Sequence, residues 1–131
     1  MMKNYVFLGN YFPLVRGRLN KGMVFDDHSS TKINFLNIME AQHGKDRLFQ
    51  GKLNLKLVVC LPFPEGISSK KKDEKDMSFH TNRPTISLLL KTFEDLLDGI
   101  LFTDSCIIVA VDVEKRVSKD PRLEFIITEI E

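Results

Sequence analysis

The stretch "RPTISLLLKTFEDLLDGILFTDS", residues 83–105, decides the fold because it predicts an amphipathic helix with a marked start and end. Pro84 suits the first turn of a helix, and Gly99 is typical of the residue that ends one. Between them apolar residues recur every three or four positions and share one face: Ile86, Leu89, Leu90, Phe93, Leu96 and Leu97. We expect that face to pack on the core.

The sequence on both sides of this helix predicts a sheet domain. Apolar and β-branched runs predict strands at 4–9, 23–27, 51–63, 105–117 and 122–130. Start and stop signals predict a helix at 29–44, and "SKDP" (118–121) predicts a hairpin turn. The charge-dense segment 64–82 predicts a solvated loop, with a loop that becomes ordered on nucleic acid as the alternative. The order of elements predicts one α/β (α+β) domain over residues 1–131, with a mixed sheet of four or five strands and two main helices.

The composition indicates a globular protein rather than a membrane or secreted one. The 131 residues can bury a core, the net charge is +1, and no apolar run is long enough to span a bilayer. The first residues carry no small-residue cleavage site, so no secretory signal is predicted. Cys60 and Cys106 lie in strand-like runs and are interpreted as reduced core residues, which favours a cytoplasmic location.

Three motifs occur in an order that resembles the RusA family of Holliday-junction resolvases, which are small metal-dependent endodeoxyribonucleases. "GNYFPLVRGR" (9–18) resembles the basic loop after the first strand of that family, and "VEKRVSKDPRLEFIITEI" (113–130) resembles its closing hairpin. The central motif of the family matches in register at Pro84, Leu89, Lys91, Asp95, Leu97, Gly99 and Asp104. The resemblance covers almost the whole chain and implies the RusA fold.

The positions at which the family carries its catalytic aspartates are substituted in this chain. The resemblance places those positions at Thr85, Ser87 and Ser105, and it leaves Lys91 and Asp104 as the residual catalytic residues. We expect the two positions before the helix and one from the following loop to converge on a single site. Hydroxyl groups there lack the negative charge with which carboxylates hold Mg²⁺.

The resemblance therefore implies a degenerate resolvase that binds DNA with little or no cleavage. Mg²⁺ is the metal of the family; here Asp104 at most would bind it, so we expect no metal or a weakly bound one. An alternative is an active endonuclease with a rebuilt metal site. The groups available to it are Asp73, Glu74, Asp76 and His80; His28 and His43 share no metal-ligand spacing with His80.

The partner implied by the resemblance is DNA, as a four-way junction or a duplex, bound by a homodimer. The candidate DNA-binding residues are Arg16, Arg18, Lys21, Lys91, Lys115 and Arg116. Lys91 also has a purely structural interpretation, as a surface lysine paired with Asp95 one helical turn away. A further alternative is a non-catalytic protein-interaction subunit that keeps only the fold, for which an exposed Leu88 would be a contact.

Overall fold

The structure is a computed structural model that describes residues 1–11 and 29–130, and a four-stranded mixed sheet lies at its centre. The strands are β1 (Met2–Leu8), β2 (Lys52–Leu61), β3 (Ile108–Val117) and β4 (Arg122–Ile130). Their spatial order is β1-β4-β2-β3; β4 is antiparallel to both of its neighbours, and β2 is parallel to β3. The α+β class is confirmed, while the strand predicted at 23–27 lies outside the described residues.

Both main helices that the sequence predicted are present. They are α1 (Ser29–His43) and α3 (Ile86–Leu97), with a short additional helix α2 (Ser69–Lys75) between them. Gly99 lies just after α3 with φ of +78°, a left-handed conformation that glycine adopts without strain. The helix begins later than predicted, because Thr85 is its N-cap and Pro84 precedes the cap.

The core lies between one face of the sheet and the two long helices. Alternate residues of each strand are buried, as in the run Leu53, Leu55, Leu57 and Val59 of β2. On α1, Phe35 packs edge-on against Phe7 of β1 with ring centres 5.0 Å apart. On α3, Phe93 packs edge-on against Phe125 of β4 at 4.8 Å. Burial of these rings fixes α3, and therefore both of its ends, relative to the sheet.

The predicted hairpin of the last two strands is wrong, because β2 lies between them. β2 pairs with β3 on one side and with β4 on the other. The connecting residues 118–121 cross the end of β2, where the N–H of Ser118 donates to the carbonyl of Leu61 at 2.9 Å. Two strand spacings are about 10 Å, a distance that four residues span easily.

The prediction of a solvated loop at 64–82 is wrong in part. The Ser68 hydroxyl accepts a hydrogen bond from the N–H of Lys71 and so caps α2, which contains no buried residue. After it, the N–H of Met77 donates to the carbonyl of Val117 at 2.7 Å, and the N–H of Val117 donates to the carbonyl of Ser78 at 2.9 Å. Residues that were expected to be solvated therefore extend the edge of the sheet.

The two cysteines have different environments. Both are free thiols; Cys60 is buried as predicted, but Cys106 is exposed, so its assignment to the core is wrong. It lies in a single 3₁₀ turn, Ser105–Ile107, just before β3 rather than within the strand. Among the described helices, none has the length and apolar character needed to cross a membrane.

Candidate functional site at the two ends of helix α3

The N-terminal end of α3 carries two of the substituted positions. The Thr85 hydroxyl accepts a hydrogen bond from the N–H of Leu88 at 3.2 Å and so caps the helix. Ser87 is exposed in the first turn, which contains no acidic residue. The positive end of the helix dipole therefore has no carboxylate beside it in the first turn. Leu88 is half-buried and packs against the core rather than being fully exposed.

Lys115 fixes the segment that leads into this end. Its ammonium group donates to the carbonyl of Asn82 at 2.7 Å and to the carbonyl of Pro84 at 2.8 Å. The side chain reaches these carbonyls from β3, across the edge of the sheet. Lys115 thereby ties the approach to α3 to the strand below it, and its predicted contact with DNA remains a prediction.

Arg116 also has several partners within the chain. Its guanidinium group donates to the carbonyl of Met77 at 2.8 Å, pairs with Glu114 at 3.3 Å and lies 4.1 Å from the ring centre of Phe79. These contacts hold residues 77–80 against β3. Whether Arg116 also contacts DNA remains a prediction.

His80 belongs to the same segment. Its backbone N–H donates to the carbonyl of Lys115 at 3.0 Å, and its Nδ1 atom is buried without a hydrogen-bond partner in the described part of the chain. Burial lowers the pKa of His80, and the neighbouring charge of Lys115 lowers it further. A neutral imidazole is therefore favoured there.

The C-terminal end of α3 carries the third of these positions, Ser105, and the retained Asp104. The N–H of Ser105 donates to Oδ1 of Asp98 at 3.0 Å. Because Asp98 is the C-cap residue of α3, this bond joins the loop after the helix to the end of the helix. Oδ1 of Asp104 accepts from the N–H of Cys106 at 2.8 Å. The hydrogen bonds from the backbone and thiol of Cys106 lower the pKa of Asp104. Asp104 is therefore an exposed, ionised carboxylate, and one of its oxygens already accepts a hydrogen bond within its own turn.

The expectation that these positions converge on one site is wrong within a single chain. Thr85 and Asp98 cap opposite ends of α3, and at 1.5 Å per residue the helix separates them by about 20 Å. Because Ser105 is bonded to Asp98, it lies at the C-terminal end of α3, whereas Thr85 and Ser87 lie at its N-terminal end. No carboxylate, hydroxyl or ligand set could bridge such a gap around one ion.

Lys91 lies in the middle of α3 and is exposed. Its ammonium group is 3.8 Å from a carboxylate oxygen of Asp95, so the structural pairing that the sequence allowed is confirmed. Both side chains project from the exposed side of the helix, which leaves Lys91 accessible to a ligand as well. The three other predicted DNA contacts, Arg16, Arg18 and Lys21, lie outside the described residues, as does His28.

The groups considered for a rebuilt metal site point elsewhere. Asp73 forms an ion pair with the ammonium group of Lys119 at 2.5 Å, and Asp76 accepts from the Lys119 backbone N–H at 2.9 Å. Both carboxylates therefore face the β3–β4 connection. Glu74 is exposed on α2. Across residues 1–11 and 29–130, no three His, Cys, Asp or Glu side chains are grouped as metal ligands would be.

His43 is a core residue. Its Nε2 lies 2.9 Å from the carbonyl of Arg47 and must donate to it, so Nδ1 accepts from the Tyr5 hydroxyl at 2.7 Å. Burial raises the pKa of Tyr5, and the nearby charge of Asp46 adds to the effect. The pair joins α1 to β1 and leaves no ring nitrogen for a metal.

Comparison with known proteins agrees with this architecture. The sequence profile of the family described as Endodeoxyribonuclease RusA matches residues 16–128. The chain belongs to the RusA family. A curated relative, the uncharacterized protein YqaN of Bacillus subtilis (strain 168), is 26% identical over 122 residues, which cover 88% of this chain and 86% of that protein.

The residues that the resemblance places at the RusA acid positions do not fit a magnesium ion. The metal is held in proteins through one or two carboxylates, whereas Thr85, Ser87 and Ser105 offer only hydroxyl groups. Asp104 is the one carboxylate left at these positions, and a backbone N–H already occupies one of its oxygens. At the positions that the resemblance assigns to the acids, the chain therefore offers hydroxyl groups where Mg²⁺ prefers carboxylates.

Sequence reasoning missed two residues that shape this site. Asp98 joins the end of α3 to the loop that carries Asp104, but an aspartate before a helix-ending glycine has no distinguishing spacing. Lys115 was assigned to DNA by analogy, and its bonds to the carbonyls of residues 82 and 84 depend on a long-range contact. No local pattern could have revealed either role.

Proposed function

We propose that this RusA-family protein binds branched DNA, a four-way junction in preference to linear duplex, with little or no cleavage. The observation that carries the proposal is the first turn of α3. This turn contains no acidic residue and uses the Thr85 hydroxyl as a helix cap, and the resemblance assigns the family's acid pair to it. A family scaffold for DNA is present there without the charge that metal-dependent hydrolysis needs.

Electrostatics favours binding over catalysis at this end. A helix N-terminus with no carboxylate in its first turn attracts phosphate. Replacing aspartates by uncharged residues removes repulsion between the protein and the DNA backbone, so affinity for DNA is retained or increased. Lys91, exposed on the same helix, supplies a cation for one phosphate.

The homodimer implied by the resemblance is part of the proposal. The two ends of α3 are about 20 Å apart, so one chain offers two separate half-sites rather than one complete site. A second copy related by twofold symmetry would present both ends again, and a four-way junction offers two equivalent strands to such a pair.

The test is a binding measurement by fluorescence anisotropy. A labelled four-way junction and a linear duplex of equal length are titrated at near-physiological salt with Mg²⁺, and each sample is then run on a denaturing gel. We expect the junction to bind at least about tenfold more tightly, ~1.4 kcal/mol, with intact strands on the gel. Equal, weak affinity for both DNAs would contradict the proposal.

Two variants sharpen the result. Lys91→Met should weaken binding to both DNAs and reduce the salt dependence by about one counterion per chain, because a phosphate contact carries no structural selectivity. Lys32→Met, an exposed lysine on α1, is the matched control and should change neither. Nicking of the junction that Asp104→Ala abolishes would instead establish an active endonuclease with a rebuilt site.

A further inference from the structure

Among the described residues, the outer edge of β3 is covered only over its last residues. Residues 77–80 run antiparallel to its last residues, where the N–H of His80 donates to the carbonyl of Lys115 and the N–H of Met77 donates to that of Val117. Backbone groups in a strand alternate between its two sides. Because residues 115 and 117 point outward, Val113 and Val111 also direct their N–H and C=O groups away from β2.

The first half of this edge is exposed and apolar. The exposed fractions of Val109 and Val111 are 59% and 42%, and Ala110 and Asp112 beside them are also exposed. In the described ranges, no segment pairs with β3 on its outer side before Lys115. An apolar edge of this kind is a template for another strand.

The opposite edge of the sheet is protected. The carboxamide of Gln42 on α1 accepts from the N–H of Val6 at 2.9 Å and donates to the carbonyl of Val6 at 2.6 Å. It therefore takes the place of a neighbouring strand in the middle of β1. The contrast indicates that the free edge of β3 is the surface on which another chain would be added.

We propose that the free edge of β3 pairs antiparallel with the same edge of a second copy, about a twofold axis at Val111. This extends the proposed homodimer by naming its surface. Val111 then lies opposite Val111 of the second copy, and Asp112 lies opposite Ala110 of the second copy. No like charges face each other in this register, and two β-branched side chains form the central pair.

In the proposed dimer, the orientation of α3 brings helix ends of opposite charge together. The helix runs antiparallel to β3, because Pro84 is bonded to Lys115 near the end of the strand and Asp98 is bonded to Ser105 just before its start. The twofold axis therefore places the N-terminal end of one α3 beside the C-terminal end of the other. The first end has Arg83 and the positive dipole; the second has Asp98, Asp104 and the negative dipole.

Sedimentation equilibrium of the full chain tests the proposal. From low to high micromolar concentration, we expect the mass to approach twice the 15.1 kDa of one chain. Val111→Lys places two lysines opposite each other and should weaken dimerisation at least about tenfold. Leu8→Lys, at the most exposed apolar residue of the other edge strand, is the control and should leave the mass unchanged.

A pair of substitutions at one exposed position tests the register independently. Ala110→Glu would face Asp112 of the second copy and weaken the dimer, whereas Ala110→Lys would face the same carboxylate and strengthen it. Circular dichroism of each variant verifies the fold. A monomeric wild-type chain at high micromolar concentration would overturn the proposal, as would a dimer that none of the substitutions at Ala110 and Val111 affects.

The failure of this inference can be distinguished from failure of DNA binding. Junction affinity is measured on the same samples. A monomer that still prefers the junction would overturn the β3 edge as the interface and leave the proposed function intact. A dimer sensitive to Val111→Lys with no junction preference would support the interface and contradict the proposed function.

Discussion

Substitution of Lys115 by methionine separates a structural role from a DNA contact at the same residue. The structure places its ammonium group within 2.8 Å of two carbonyls, those of Asn82 and Pro84. A net hydrogen bond contributes about 1 kcal/mol, and more when the donor is charged, so Lys115→Met should lower the free energy of unfolding by about 2 kcal/mol. Methionine keeps the length of the side chain and its apolar packing.

Lys91→Met is the matched control, because both lysines are candidate DNA contacts but only Lys115 is half-buried. The Lys91–Asp95 pair is exposed, and such helix pairs are worth about 0.3–0.5 kcal/mol. We expect the urea midpoint to fall markedly for Lys115→Met and hardly at all for Lys91→Met. Thermal unfolding should show a drop of roughly 6–10 °C for the first variant.

The result that would refute the reasoning is an equal, small effect of the two substitutions on stability. A loss below about 0.5 kcal/mol for Lys115→Met would mean that its two hydrogen bonds contribute nothing net. If junction affinity nevertheless fell for that variant, Lys115 would be a DNA contact rather than a structural tie between β3 and the start of α3.

Three other predictions concern capping, acid stability and thiol reactivity. Thr85→Ala removes the N-cap of α3 and should cost about 1 kcal/mol in urea unfolding, whereas Thr85→Asp should not. The pKa of Glu129 is lowered to about 2, mainly by the hydrogen bond from Arg47, so its stabilising effect is present above pH 4.5 and lost as the pH falls towards 2. Glu129→Gln should therefore lower stability at pH 7 and flatten its dependence on pH in that acidic window, measured by urea unfolding across the window; an unchanged slope would contradict the assignment. Because Asp104 raises the pKa of the Cys106 thiol, Ellman's reagent should react with Cys106 slowly, and Asp104→Asn should accelerate the reaction.

Local patterns predicted the elements that carry their own signals. The three- and four-residue spacing of α3 and the alternation of leucines in β2 each depend on neighbours in sequence, so burial of Leu89, Phe93, Leu55 and Leu57 followed from the pattern. The short helix α2 did not, because "SKKKDEK" has no apolar face and is defined by its Ser68 cap. The sequence of a charge-dense segment with no apolar face is the same whether the segment forms a helix or a loop.

Pairing between distant segments could not be predicted from those patterns. A four-residue connection suggested a hairpin, yet β2 lies between β3 and β4. The order of strands depends on which long-range contacts bury most apolar area, and no local spacing encodes that choice. Thr85 and Ser105 were expected together because of the resemblance, although the helix predicted between Pro84 and Gly99 already separates its two ends by its own length.

As the central claim, we propose that the RusA scaffold is intact in the proposed dimer, where the N-terminal end of one α3 lies beside the C-terminal end of the other, and that loss of the acids prevents cleavage. The most direct measurement compares single-turnover cleavage of a four-way junction by the wild type and by the triple variant Thr85→Asp, Ser87→Asp and Ser105→Asp, with Mg²⁺ or Mn²⁺. Aspartate is as good an N-cap as threonine, so the variant should fold.

The account predicts a flat time course for the wild type, even at saturating protein, and metal-dependent product from the triple variant. Metal-dependent cleavage by the wild type would contradict it. So would a well-folded triple variant that binds the junction and leaves it intact, because the geometry would then have changed together with the acids.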